Sequence, residues 1–131
     1  MCSSDLIGTS TFTGGYTLQV AGNVGVSGDL TTFYSDERLK TRVGPITNAL
    51  EKLQALDCFY YETNDLAVSF GFEREGRRVG LSAQQVQSVF PEAVKPAPFN
   101  NDYLTIQYEK LVPLVIQAVK ELSDIIRNGH T

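Results

Sequence analysis

The spacing of apolar positions changes about a quarter of the way along the chain. Up to Tyr34 it is two: Leu18 and Val20, then Val24 and Val26, alternate with small or polar residues as in half-buried strands. A six-residue unit repeats here, Val20 to Gly25 and then Val26 to Thr31, each reading apolar, small, Gly, Asn or Asp, apolar, small. Gly22-Asn23 and Gly28-Asp29 supply turn chemistry. Two such units cannot bury an apolar face by themselves. Either they end a longer array, or other chains supply the missing neighbours, as in an intertwined trimeric stem. The plainer alternative is a flexible Gly/Ser/Thr linker.

Beyond Ser35 the period lengthens. Ile46, Ala49, Leu50, Leu53 and Leu56 predict a helix over 43–56, with Pro45 at a tolerated early position and Gly44 or Thr47 near the cap. Strands are expected over 58–62, 67–73 and 77–81, the last two joined by a turn at Glu75-Gly76. Residues 82–90 read as a short helix: Ser82 caps it, Gln85 lies three residues on, Val86 and Phe90 share a face, and Pro91 stops it. A loop containing Pro96, Pro98, Asn100 and Asn101 leads to a short strand at 103–105. A long helix is then predicted over 107–127. Its stripe is Tyr108, Leu111, Val112, Val115, Ala118, Val119, Leu122, Ile125 and Ile126, wide enough to pack on a core or on partner helices. Pro113 falls near its start and Gly129 after its end. The pattern is therefore α+β over 35–131, behind a β-segment over 1–34.

Composition sharpens that boundary. The first 34 residues hold no Lys or Arg, only Asp5 and Asp29 as acids, and six of the eleven glycines. Over the whole chain the formal charge is −4, which speaks against binding nucleic acid through phosphates. Arg77-Arg78, the one basic doublet, reads as a solvated hairpin tip. Cys2 stands near the start of the sequence, and Cys58 sits in an apolar run where a small buried thiol is expected. With no CxxC pattern and His130 as the only histidine, neither a zinc site nor a histidine-based triad is supported. No stretch has membrane-spanning length and the N-terminus lacks the regions of a signal peptide, so a soluble chain is expected. No cofactor is implied.

Three segments in this order carry a resemblance. They are Ser35-Asp36-Glu37-Arg38-Leu39-Lys40, the run from Val79 to Val94 (VGLSAQQVQSVFPEAV), and the run from Leu104 to Leu122 (LTIQYEKLVPLVIQAVKEL). Together they resemble the C-terminal intramolecular chaperone domains of bacteriophage tailspikes and tail fibres of the endosialidase type, a module that also occurs in myelin regulatory factor. The resemblance spans 35–131, and 1–34 is similar in composition to the stems that precede such modules. It implies a homotrimer whose chaperone domain registers the upstream stem of the same chain. Intertwined strands have non-local contacts and a large closure entropy, so a trimeriser speeds their nucleation. The implied setting is a virion tail fibre or other extracellular fibre, folded in the host cytoplasm.

The resemblance also implies self-cleavage, by a serine opening the first block and a lysine five residues later: here Ser35 and Lys40, with Tyr34–Ser35 as the scissile bond. Ser35 Oγ would attack the Tyr34 carbonyl carbon, giving an ester that water hydrolyses. A lysine kept neutral by burial is the candidate base. Asp36 and Arg38 are expected to organise the turn or to form an inter-chain ion pair. Read without the other blocks, Ser35 is a helix cap and Lys40 a surface charge. Gln84 and Gln85 are assigned no catalytic role.

Three rivals remain. One is a permanent trimeric cap that never cuts. Another is a receptor-binding tip using Tyr60, Tyr61, Phe70 and Phe72, though their alternation favours burial. A sugar-cleaving enzyme would need paired carboxylates that the sequence does not suggest.

Overall fold

The computed structural model describes residues 5–8 and 15–129; Cys2 and His130 lie outside them. Helices and small sheets are mixed along the chain, which ends its series of elements on a long helix. The described residues form two compact bodies, one within 5–45 together with 96–103 and the other over 46–95 with 104–129.

In the first body β1 (Asp5–Ile7) and β2 (Leu18–Val20) pair in parallel, with Asp5 opposite Leu18 and Ile7 opposite Val20. Two flanking bonds extend the ladder, Asp5 N–H to Thr17 O at 2.6 Å and Ala21 N–H to Ile7 O at 2.8 Å. Gly8 makes the close approach at its end. Its φ is +78°, and a Cβ there would lie 2.7 Å from the Ala21 carbonyl oxygen, so a larger residue cannot fit without a shift. The alternation at Val24 and Val26 does not become a strand: both are more than half exposed and outside any ladder. A strand needs a partner for its backbone groups, and among the described residues this stretch has none.

The second body holds a core of Ala49, Val86, Ala93, Val94, Leu111, Leu114 and Ala118, flanked by Ile46, Leu50, Leu53, Leu56, Leu81, Phe90, Leu104 and Ile106. Helix α1 (Ala49–Gln54) is shorter than predicted. Asn48 precedes it in the left-handed region (φ 54°) and makes no side-chain cap. The orphan amides of Ala49 and Leu50 instead donate to the two carboxylate oxygens of Glu121, each at 3.0 Å. The cap thus comes from about seventy residues downstream rather than from Gly44 or Thr47.

Strand β3 (Phe59–Tyr61) follows. The next expected strand is a helix, α2 (Asp65–Ser69), because Asn64 Oδ1 accepts the Ala67 amide at 2.9 Å and opens a helical turn. Gly71 and Gly76, both at positive φ, carry the chain into β4 (Arg78–Gly80), which runs antiparallel to β3 with Tyr60 opposite Val79. This ribbon has only two strands. Cys58, Tyr60 and Val79 therefore stay exposed, contrary to the expected burial of the thiol.

Helix α3 (Ala83–Val89) forms as predicted, with Ser82 Oγ accepting the Gln85 amide at 3.3 Å and Val86 fully buried. A 3-10 turn over Pro91–Ala93 ends it. The Pro/Asn segment is a hairpin rather than a loop, β5 (Val94–Ala97) with β6 (Asn100–Ile106). Another 3-10 turn, Tyr108–Leu111, leads into α4 (Val112–Arg127), with Pro113 in its first turn and Gly129 at φ +62° beyond its end.

Candidate functional site

The turn after Tyr34 is built from local bonds. Asp36 is extended, and the chain then closes a 3-10 turn over Glu37–Leu39, with Leu39 N–H reaching Asp36 O at 3.0 Å and Lys40 N–H reaching Glu37 O at 3.2 Å. This folds position 40 back over position 35. Lys40 Nζ donates to Ser35 Oγ at 2.7 Å. Asp36 ties the inside of the turn: Oδ1 accepts the Arg38 amide at 2.9 Å and Arg38 Nε at 3.1 Å, while Oδ2 accepts Arg38 Nη2 at 2.8 Å. These bonds from the Arg38 side chain, then its amide, hold the Asp36 carboxyl below its ordinary range, and the same contact raises the Arg38 guanidinium. Arg42 lies 3.4 Å from Glu37 at the outer side.

Every residue of this turn is exposed, and so is Tyr34 before it. The arrangement offers a hydroxyl beside the preceding carbonyl and an amine in contact with that hydroxyl. It offers no dry pocket around them. Among the described residues no group of three or more His, Cys, Asp or Glu side chains is placed to hold a metal.

A second feature lies on α4. The predicted stripe divides into two. Leu111 and Ala118 enter the core together with Leu114, which the stripe omitted and which is one of the two largest fully buried side chains. Val112, Val115, Val119, Leu122 and Ile126 stay between 44% and 71% exposed. Their spacing of three, four, three, four is that of a coiled-coil seam, roughly a quarter-turn round the helix from the core face.

Residues 35–95 match the family model Peptidase_S74, described as chaperone of endosialidase. The chain carries a chaperone-of-endosialidase domain. The match begins at Ser35, the first residue of the turn. Two curated relatives are the long tail fiber proteins Gp37 of Enterobacteria phages K3 and T2. Each is 38% identical over 91 residues, 68% of this chain and 7% of the relative. The chain thus corresponds to a small fraction of those fibre proteins.

Polar contacts away from the turn tie the elements of the second body together. Gln85 pairs reciprocally with Asp57, accepting the Asp57 amide at 3.0 Å and donating to Asp57 Oδ2 at 2.9 Å. Tyr108 Oη accepts the Leu81 amide at 3.3 Å. Glu121, to which sequence reasoning gave no role, accepts the Leu50 and Ala49 amides, and those bonds depress its carboxyl. No short-range signal marks that contact.

The expected burial of Tyr60, Tyr61, Phe70 and Phe72 does not occur in the single chain, where each is at least 40% exposed. Their alternation reflects one two-stranded ribbon and one helix rather than three sheet strands. Arg77 lies over the Tyr60 ring, 4.3 Å from its centroid. Among the described residues no helix is long and apolar enough to cross a membrane.

Proposed function

We propose that this chain is the intramolecular chaperone part of a trimeric phage fibre, with residues 1–34 as the end of the stem and 35–131 as the domain that gathers three chains. The domain then releases itself by cutting Tyr34–Ser35. The observation that carries the reading is the 2.7 Å contact of Lys40 Nζ with Ser35 Oγ, one residue past the bond to be cut.

The cut proceeds in two steps. Lys40, as the neutral amine, takes the proton of Ser35 Oγ while the oxygen attacks the Tyr34 carbonyl carbon. As the C–N bond breaks, the proton passes to the Ser35 nitrogen, and Tyr34 is left as an ester on Ser35 Oγ. Water then hydrolyses the ester to a Tyr34 carboxylate and restores the Ser35 hydroxyl. The turn is exposed in one chain. Neighbouring chains that cover it would exclude water from the reacting groups, which makes cutting follow trimer formation.

The seam on α4 supports self-association. In heptad terms Val112, Val119 and Ile126 take the a positions and Val115 and Leu122 the d positions; a β-branched d residue suits three strands better than two, while Leu122 suits two. The part of the repeat beyond β2, with its exposed Val24, Val26 and Leu30, is likewise suited to neighbours from other chains.

Intact and native mass of the wild-type chain and Ser35→Ala test the reading. A fragment starting at Ser35 in the wild type alone, with trimers in both, is expected. Intact trimers of both would leave a permanent cap. Monomers of both would refute the assembly role and turn attention to the exposed aromatics as a receptor-binding face.

A further inference from the structure

We infer that the Asp36–Arg38 fork is a positioning device for self-cleavage, holding the turn closed so that Lys40 stays on Ser35; this rests on the cleavage reading above. Positions 35 and 40 are not neighbours on any regular helix, since side chains meet at three and four residues apart. Their contact therefore depends on the particular bend between them. Two backbone bonds of an isolated 3-10 turn are a poor basis for that bend, because the geometry is weak and both are open to water. The fork adds three more. Asp36 Oδ1 and Oδ2 grip Nε and Nη2 of Arg38 in a bidentate pair, and Oδ1 also takes the Arg38 amide, so one carboxylate fixes both the backbone and the side chain two residues on.

Its exposure argues against a role in stability. The side chains of Arg38 and Asp36 are 86% and 42% exposed, and exposed ion pairs contribute little to the fold. A pair that does little for folding yet spans the turn between nucleophile and base acts on geometry. The Arg38 guanidinium is engaged within its own turn. A lysine at 38 would keep the charge and lose the fork. Among the described residues Arg38 bonds to Asp36 and not to Ser35 or the scissile bond, so it is a positioning residue, acting through the turn.

The experiment follows the first-order cleavage of the full chain after refolding, in the wild type, Ser35→Ala, Asp36→Asn, Arg38→Lys and Arg38→Ala, with native mass and circular dichroism to verify folding. The three fork variants should assemble like the wild type and cut about 10- to 100-fold more slowly, the scale on which misorientation acts. In Arg38→Lys, which keeps the charge, the pH midpoint of the rate should stay where the wild type has it. Added guanidinium should restore several-fold of the rate to Arg38→Ala and nothing to Ser35→Ala. A wild-type rate in the fork variants overturns the positioning role and leaves self-cleavage standing. So does a displaced midpoint in Arg38→Lys, or a slowed rate in Arg38→Ala that guanidinium leaves unchanged. If the wild type itself never cuts at Tyr34–Ser35, the cleavage reading and the positioning role fall together.

Discussion

Leu114→Ala isolates what the inner face of α4 does. Leu114 is fully buried, and its partners in the core include Ala49, Ala93 and Ala118. Alanine has no rotamer with which to reach into a gap, so the space left by the isobutyl group stays open. Loss of transfer energy plus an uncollapsed cavity places the cost at about 3 to 5 kcal/mol. For a body of this size each kcal/mol lowers Tm by about 4–8 °C, so the fall should be at least about 12 °C. The assay is urea unfolding followed by circular dichroism, in a Ser35→Ala background that the proposed cut cannot divide. Chain concentration is matched between variants, because association shifts apparent stability. The slope of the transition should stay constant while its midpoint drops. Val119→Ala, on the exposed face of the same helix, serves as reference at a concentration where the chains are dissociated, and should cost under about 0.5 kcal/mol there. If Leu114→Ala cost less than about 1 kcal/mol, or no more than Val119→Ala, the division of α4 into a core face and an outer seam would be wrong.

Further outcomes follow from other contacts. In the proposed trimer, Val119→Ser with Leu122→Ser should yield monomers in native mass while leaving the helical signal in place. Ser82→Ala removes the cap of α3 and should destabilise the chain by about 1 kcal/mol in the same unfolding assay. The Glu121 carboxyl is depressed in the folded chain by its bonds to Leu50 and Ala49; the stability it lends is full above the ordinary glutamate range and fades as pH falls through its lower folded value. Glu121→Gln should flatten that acid limb, which a pH series of unfolding midpoints reads directly.

Local chemistry was readable without the structure, and distant chemistry was not. Ser82 with Gln85 three residues on, followed by Val86 and then Pro91, holds everything needed to define α3. The segment Leu66, Val68, Phe70, Phe72 mimics a strand because its apolar residues alternate, yet Asn64 three positions before Ala67 was a helix signal that outweighs them. Pro96 and Pro98 concealed β5, since proline is rare within sheets except at edges. On α4 the apolar residues occupy two adjoining faces, so periodicity alone could not decide which enters the core, and Leu114 was left out. The Asn48 backbone and the reach of Glu121 to α1 depend on tertiary packing. Ser35 and Lys40 came from resemblance, because a five-residue separation is no regular periodicity. Only the bend described by the backbone brings them together.

The two faces of α4 have a consequence for quality control. The core face sets how the helix is rotated about its own axis, and that rotation aims the outer seam. A chain whose core is badly packed would present Val112, Val119 and Ile126 askew and dock poorly on its neighbours. In the proposed assembly, sorting of sound chains from faulty ones therefore needs no separate inspector. Defective subunits would be rejected at the first encounter, before their stems could be committed to a fibre.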